Sequence, residues 1–435
     1  MVMIRRIITG LFIYSVAAIL LNLVGRTATK PQTAQLINWQ NAALFTLPKP
    51  DPVAEAVMHQ YLKIWQTTGG IPANQGIWIQ TSSGLNLLAE NQGTVALPAA
   101  SLTKIATSLA SLNKWGPDYQ FETIISATGA INNGVLQGDL VIIGSGDPLF
   151  VWEEGIAVGN SLSQLGIRQV TGSLIIVGDF YMNFQKNPAM AGAFFRQGIN
   201  AKTWSRGFTF KHATMAKGTP KPQIAIAGTV KLASTPPPNA YFLLRHQSPR
   251  MTQILREMNI HSSNDMAEML GKSLGGASVV VEEVIKSTGI SPTEIQLINT
   301  SGLGMENKIS PHAATTMLIA INKYLEPFQL NIADVFPLSG RDKNGTMHGR
   351  KMPLGTAMKT GTLREVSALA GAIPTRDRGL VWFAIINRGN DIPKFRAQQD
   401  EILSKLTQQW GNLPTFNPDI SQPAGILGDS ERIQQ

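Results

Sequence analysis

The sequence predicts a mixed α+β or α/β enzyme domain whose sheet is assembled from both ends of the chain, with a mostly β domain inserted behind its first long helix. Three observations carry that expectation. Strand patterns lie early and late with helical patterns between them, which places both ends in one sheet. A stripe of helical period follows the early strands directly. Between that stripe and the later helices, short β-rich runs punctuated by Gly and Asn fill residues 121–230.

In chain order, Gly76–Thr81 and Leu85–Glu90, separated by Ser82-Ser83-Gly84, read as the two strands of a hairpin. From Ser101 to Trp115 the apolar residues Leu102, Ile105, Ala106, Leu109 and Leu112 form one helical stripe, stopped by Gly116-Pro117. In the following stretch, Asp139–Ile143 and Gly172–Val177 are the clearest strand runs. Helical patterns return at Met251–Met258, Asn264–Leu274 and Val279–Thr288. Leu354–Gly361, Val366–Pro374 and Gly379–Asn387 then read as three consecutive strands. A helix over Lys394–Trp410, with Ile402, Leu403, Leu406 and Trp410 on one side, closes the domain. The main domain accordingly takes 53–120 and 235–411, the insertion 121–234, and a flexible tail 412–435.

Arg5 and Arg6 precede an apolar run at 7–24, the mark of a signal anchor or signal peptide. Its length is close to the ~20 residues that span a bilayer, and Gly25–Lys30 is a poor cleavage site, which favours an uncleaved inner-membrane anchor. The positive residues ahead of it put 1–6 in the cytoplasm and the bulk of the chain in the periplasm or its equivalent, behind a linker at 25–52. The absence of cysteine removes disulfides, thiolate catalysis and Cys-ligated metals, and the six His form no pair at metal-binding helical spacing, so no metal is expected. A net charge of +9 favours an anionic partner such as a cell-wall polymer or lipid surface; the basic residues are scattered without interleaved aromatics, which argues against nucleic acid.

Three short motifs carry chemistry. Ser-x-x-Lys occurs twice, at Ser101/Lys104 and Ser111/Lys114. A serine hydroxyl needs a base within reach and an oxyanion site facing the carbonyl. Ser101 opens its helix, where Lys104 lies one turn on along the same face and the free N–H groups point outward; the plain alternative is an N-cap after Pro98-Ala99-Ala100. Lys114 falls in the last turn and reads as a cation complementing the helix C-terminus. Ser262-Ser263-Asn264 precedes a later helix, and Ser111-Leu112-Asn113 matches the same pattern. Lys359-Thr360-Gly361 occurs once, at the end of a strand, where a glycine admits an extended substrate against the backbone or marks a bend. Order and setting combine the three.

In these motifs, in the runs Gly144–Leu149, His246–Pro249, His261–Glu268 and Ser301–Gly304, and in Ile309-Ser310-Pro311, the chain resembles the low-molecular-mass penicillin-binding proteins that are D-alanyl-D-alanine carboxypeptidases and endopeptidases, specifically those with an insertion after the nucleophile helix. The resemblance implies the fold of the serine β-lactamases and DD-peptidases, a five-stranded antiparallel sheet with a helical subdomain, and no cofactor. It implies cell-wall stem peptides as substrates, hydrolysed through an acyl-enzyme, and β-lactams as covalent inhibitors. Ser101 would be acylated with Lys104 as base; Ser262 and Asn264 would relay a proton and hold the peptide amide. Lys359 and Thr360 would bind the terminal carboxylate beside Gly361, and the N–H groups of Ser101 and Thr362 would form the oxyanion hole. A β-lactamase and a non-catalytic penicillin-binding scaffold or sensor are the competing readings. The chain departs from the larger relatives in the 161 positions between Ser101 and Ser262, a shorter span than theirs, and in Asn299-Thr300 where they carry Asp-Gly.

Overall fold

A computed structural model describes residues 50–67, 71–81, 87–413 and 427–435. The tip at 1–6, the apolar run at 7–24, nearly all of the linker and the hairpin turn at 82–86 lie outside them. Asp51 opens the folded chain: its carboxylate accepts from Val53 N and Ala54 N and caps α1 (Pro52–Thr67), with Pro52 in the first helical position. The hairpin strands follow as β1 (Gln75–Thr81) and β2 (Leu87–Asn91). After a 3₁₀ turn at Ala100–Leu102 comes α2 (Thr103–Trp115). The expected apolar stripe is only part of it, because Thr103 through Leu112 are buried all round; Thr107 Oγ1 donates to Thr300 O at 2.7 Å and Ser111 Oγ to Thr107 O at 2.8 Å, which lets polar faces sit inside the core.

The insertion contains β3 (Glu122–Ala127), β4 (Leu140–Ser145), α3 (Trp152–Gln164), β5 (Leu174–Asp179), α4 (Pro188–Gly198), α5 (Arg206–Thr214), β6 (Val230–Ala233) and β7 (Tyr241–Gln247). It carries three more helices than a mostly β reading allows. The cause is topological: β4, β5 and β6 run parallel, and parallel neighbours need long crossovers, which the helices supply. The sheet also continues past residue 234, since β7 pairs antiparallel with β3.

The main domain resumes with α6 (Met251–His261), α7 (Asn264–Leu274), α8 (Ala277–Thr288) and α9 (Pro311–Leu325), the last capped by Ser310 with Pro311 behind it. Then come β8 (Ala357–Leu363), β9 (Val366–Thr375), β10 (Gly379–Arg388) and α10 (Ile392–Trp410). The antiparallel sheet runs β8-β9-β10-β1-β2, so the two ends of the chain meet at the β10–β1 pair. Strand alternation splits its faces. Ala368, Ala370, Ala372 and Ala384 pack toward α9 and the Ala100–Leu102 turn, and their small side chains let these lie close. Leu369, Ile373, Phe383 and Ile385 pack against Phe395, Leu403 and Leu406 of α10 and Met58 and Trp65 of α1.

The expectation of a flexible tail fails for its last residues. Ile433–Gln434 form β11, which pairs with β7 and completes the insertion sheet in the order β6-β5-β4-β3-β7-β11. The reason is a buried charge: Glu154 on α3 is fully enclosed, and it accepts from His246 Nε2 at 2.7 Å, Arg432 Nη2 at 2.6 Å and Gly428 N at 3.1 Å. Its carboxyl is held below the ordinary range because the favourable contacts with His246 and Arg432 outweigh burial. Arg432→Ala strands that carboxylate, so unfolding by urea at neutral pH is expected to show a loss of about 3 kcal/mol. A midpoint equal to wild type would show that the tail adds nothing.

Candidate active site

The chain reaches the helix start under constraint. Leu97–Pro98 pairs with Lys308–Ile309, and Ala99 N donates to Asn307 O at 2.9 Å. Ala100 then turns into the left-handed region at φ +48, a conformation that costs a non-glycine residue about 1 kcal/mol or more and is held here by its surroundings. Two glycines do the holding. A Cβ on Gly302 would lie 1.9 Å from Ala100 O, and one on Gly361 would lie 2.9 Å from Ala99 O and 3.0 Å from Ser101 N. Gly361 is therefore required by the close approach of β8 to the serine turn itself, and not only by an incoming chain. Ser101 sits inside the 3₁₀ turn; the residue at the cap position of α2 is Leu102, so the N-cap alternative for Ser101 falls away.

Lys104 is fully buried, and its Nζ lies 3.0 Å from Ser101 Oγ, 2.7 Å from Asn264 Oδ1 and 2.6 Å from Ser301 O. Burial lowers its pKa to about 7, against a smaller upward pull from Glu268. A neutral amine has two N–H groups and one lone pair. With the two donors on Asn264 and Ser301, the lone pair is left for the Ser101 proton. The other Ser-x-x-Lys pair is engaged elsewhere, Ser111 in its own helix and Lys114 on Ser273 O.

Ser262 closes α6 in the left-handed region at φ +51, and Ser263 caps α7 with its side chain on Met266 N. Ser263 thus has the structural duty while Ser262 is turned toward β8, where its Oγ accepts from Lys359 Nζ at 3.0 Å. Lys359 is also fully buried; its amine donates to Thr360 O at 2.8 Å and is held well below its ordinary pKa by burial and then by the nearby Lys104. An anion seated beside it favours the charged form again. The structure so brings Ser101, Lys104 and Asn264 into one hydrogen-bonded group, Ser262 and Lys359 into another, and sets Gly361 against the Ser101 turn.

Two residues escaped the sequence reading as site components. Glu268 accepts from Ser301 N at 3.0 Å and Thr300 Oγ1 at 3.1 Å, which fixes the loop whose Ser301 carbonyl meets Lys104. Its spacing of four from Asn264 on α7 was the available signal, since i and i+4 share a helix face. Arg396 donates from Nη2 to Thr362 Oγ1 at 2.9 Å. Nothing in the sequence joins those two positions. The Asn299-Thr300 departure is accounted for locally: Asn299 Oδ1 accepts from Gly302 N at 2.8 Å and shapes the turn.

Known proteins resemble this chain in sequence and in fold. The family model described as D-Ala-D-Ala carboxypeptidase 3 (S13) matches residues 63–221 and 208–409. The chain is 24% identical to a D-alanyl-D-alanine carboxypeptidase of Actinomadura sp. (strain R39), covering 77% of this chain and 81% of that one. It is 22% identical to the D-alanyl-D-alanine carboxypeptidase DacB of Haemophilus influenzae, covering 71% and 83%. Among solved structures, the penicillin G acylated predatory endopeptidase Bd3459 of Bdellovibrio bacteriovorus superposes with a TM-score of 0.72 at 21% identity, over 82% of this chain and 97% of that one. Penicillin binding protein 4 of Haemophilus influenzae gives 0.62 at 17%, over 81% and 99%. The shared fold is the expected one.

With Lys104 as base, acylation of Ser101 by an activated ester is expected to rise with pH through a midpoint near 7, as the amine loses its proton. Lys104→Arg, which keeps its charge, is expected to be slow and flat across that range. Stopped-flow rates from pH 5.5 to 8.5 read both, and a wild-type profile without an inflection there would remove Lys104 from the role.

Proposed function

The chain belongs to the D-Ala-D-Ala carboxypeptidase 3 (S13) family, serine DD-peptidases of peptidoglycan, and on that premise we propose that Ser101 is the residue acylated by the D-alanyl carbonyl. The observation that carries this reading is the 3.0 Å contact between Ser101 Oγ and a buried amine whose pKa is about 7. In acylation, Ser101 Oγ attacks the carbonyl carbon and Lys104 takes the hydroxyl proton. The N–H groups of Ser101 and Thr362 receive the oxyanion, each worth about 3 kcal/mol of barrier. Lys104 gives that proton up again by way of Ser262, which passes it to the amine as the amide C–N bond breaks and which Lys359 holds in place, and Asn264 holds both Lys104 and the substrate amide. Lys359 and Thr360 bind the terminal carboxylate; the substrate brings the anion that restores charge to Lys359. Water then attacks the acyl carbon from the side the amine left, the bond to Ser101 Oγ breaks, and the proton taken from water is returned to Ser101 through Lys104.

Glu268 is committed through both oxygens to Ser301 and Thr300 behind the base, which leaves it a positioning part and supports a long-lived penicillin adduct over the fast turnover of a β-lactamase. The substrate lies outside the cytoplasmic membrane, so the enzyme acts there, and we read the apolar run at 7–24 as its membrane tether.

A fluorescent penicillin is expected to label the wild type covalently and to leave Ser101→Ala unlabelled, with D-alanine release from a pentapeptide lost in parallel. An adduct that survives Ser101→Ala would overturn the assignment, and labelling without D-alanine release would favour a scaffold or sensor.

A further inference from the structure

The insertion has no part in the chemistry above, yet it grips the helix that carries Asn264 at both ends. Asp265 and Lys272 lie seven residues apart on α7, two turns along one face, and each pairs with the insertion: Asp265 Oδ1 with Lys186 Nζ at 3.0 Å, and Lys272 Nζ with Asp179 Oδ1 at 2.6 Å. Asn264 and Glu268 form a neighbouring face, turned to Lys104 and to the 299–304 loop. The helix α7 therefore stands between the insertion and the base. At its last turn the insertion comes close, since a Cβ on Gly146 would lie 3.1 Å from Ser273 Oγ. The first turn is held differently. Its first buried side chain is Met266, and Asn264 and Asp265 before it are exposed, so the core fixes the helix axis while the side chains that open the helix depend on contacts from outside.

Lys186 is presented to that turn by an anchored piece of chain. Met182 is buried with Phe150 and Phe195, Asn183 N donates to Phe150 O at 2.9 Å and Gln185 N to Met182 O at 3.0 Å, and Asn187 caps α4 through Ala189 N and Met190 N. Between these anchors Asn183 and Phe184 both occupy left-handed backbone, at φ +50 and +64, which residues other than glycine hold only where their surroundings impose it. An ammonium is also out of place at a helix N-terminus, where the macrodipole is positive. Both unfavourable features converge where Lys186 reaches Asp265, the neighbour of Asn264.

We propose that Lys186 is a positioning residue for the reaction: with Asp265 as its seat it braces the first turn of α7 from the insertion side and so holds Asn264 on Lys104. The inference rests on the assignment of Ser101 and Lys104 above. Lys186 acts through Asn264, whose Oδ1 occupies one N–H of the Lys104 amine and so helps to aim its lone pair at Ser101. The insertion thereby takes part in acylation by way of α7.

The rate of acylation by a fluorescent penicillin, taken on the alkaline side of the Lys104 midpoint, reads the brace. Lys186→Glu sets two carboxylates against each other and is expected to slow acylation about fivefold, the upper range for an exposed pair, while Lys186→Arg keeps the wild-type rate. In an Asn264→Ala background the same charge reversal is expected to change the rate by less than about twofold, because the group it acts through is gone. A fivefold loss that persists without Asn264 shows a field acting on the anionic penicillin itself and overturns the proposal. So does a Lys186→Glu rate equal to wild type, or a Lys186→Arg rate as low as that of Lys186→Glu. Those three outcomes leave the Ser101 assignment standing; a wild type that penicillin does not label overturns that assignment and the brace with it.

Discussion

The burial of one lysine amine organises this molecule. An ammonium group removed from water is costly unless surrounded by acceptors, and Lys104 resolves the conflict by sitting where its neutral form is competitive while three short contacts fix its direction. Each contact comes from a different part of the chain: the serine turn before the insertion, the start of α7 after it, and the 299–304 loop. The second buried lysine, Lys359 on β8, is itself held well below its ordinary pKa by burial and then by the nearby Lys104. The three contacts form together only when all three segments are in place, so the insertion between α2 and α6 is tolerated provided that its two ends leave the core close together, as the pairing of β3 with β7 secures.

Close approach is the second requirement. Alanines on one face of β9 and β10 let α9 and the serine turn lie against the sheet, and Gly361 lets β8 touch that turn. The strain at Ala100 and Ser262 follows from that geometry. Both residues occupy left-handed backbone at the points where the chain turns a motif serine toward its lysine partner, and packing from Gly302 and β8 opposes relaxation at Ala100.

Periodicity made much of this legible. The hairpin, the three late strands and α10 stand within a few residues of their expected places, because both faces of the sheet are buried and their apolar runs are long. That the three motifs would meet was legible through order and setting, and Ser101, Lys104, Asn264, Ser262 and Lys359 do lie side by side. The helices of the insertion were not, and the glycines explain why. Gly159 and Gly192 lower helix propensity, yet a Cβ at the first would lie 2.9 Å from Pro222 and at the second 2.7 Å from Val230, so close packing needs what the local pattern penalises. β11, two residues long, has no period to read. Arg396 looks like an ordinary charge on an exposed helix face until the fold sets it beside Thr362.

The strand Ile433–Gln434 also bears on how the insertion is closed. Arg245 pairs with Gln434, and Glu154 keeps its full set of partners only once Arg432 is present. An edge strand of the insertion, and the arginine half of the compensation of its buried carboxylate, are therefore supplied by residues far downstream of the rest of that sheet. Until they dock, the sheet is one strand short and Glu154 has His246 alone as a charged partner. A contact of long sequence separation thus governs the finishing of a domain whose other strands lie between Glu122 and Gln247.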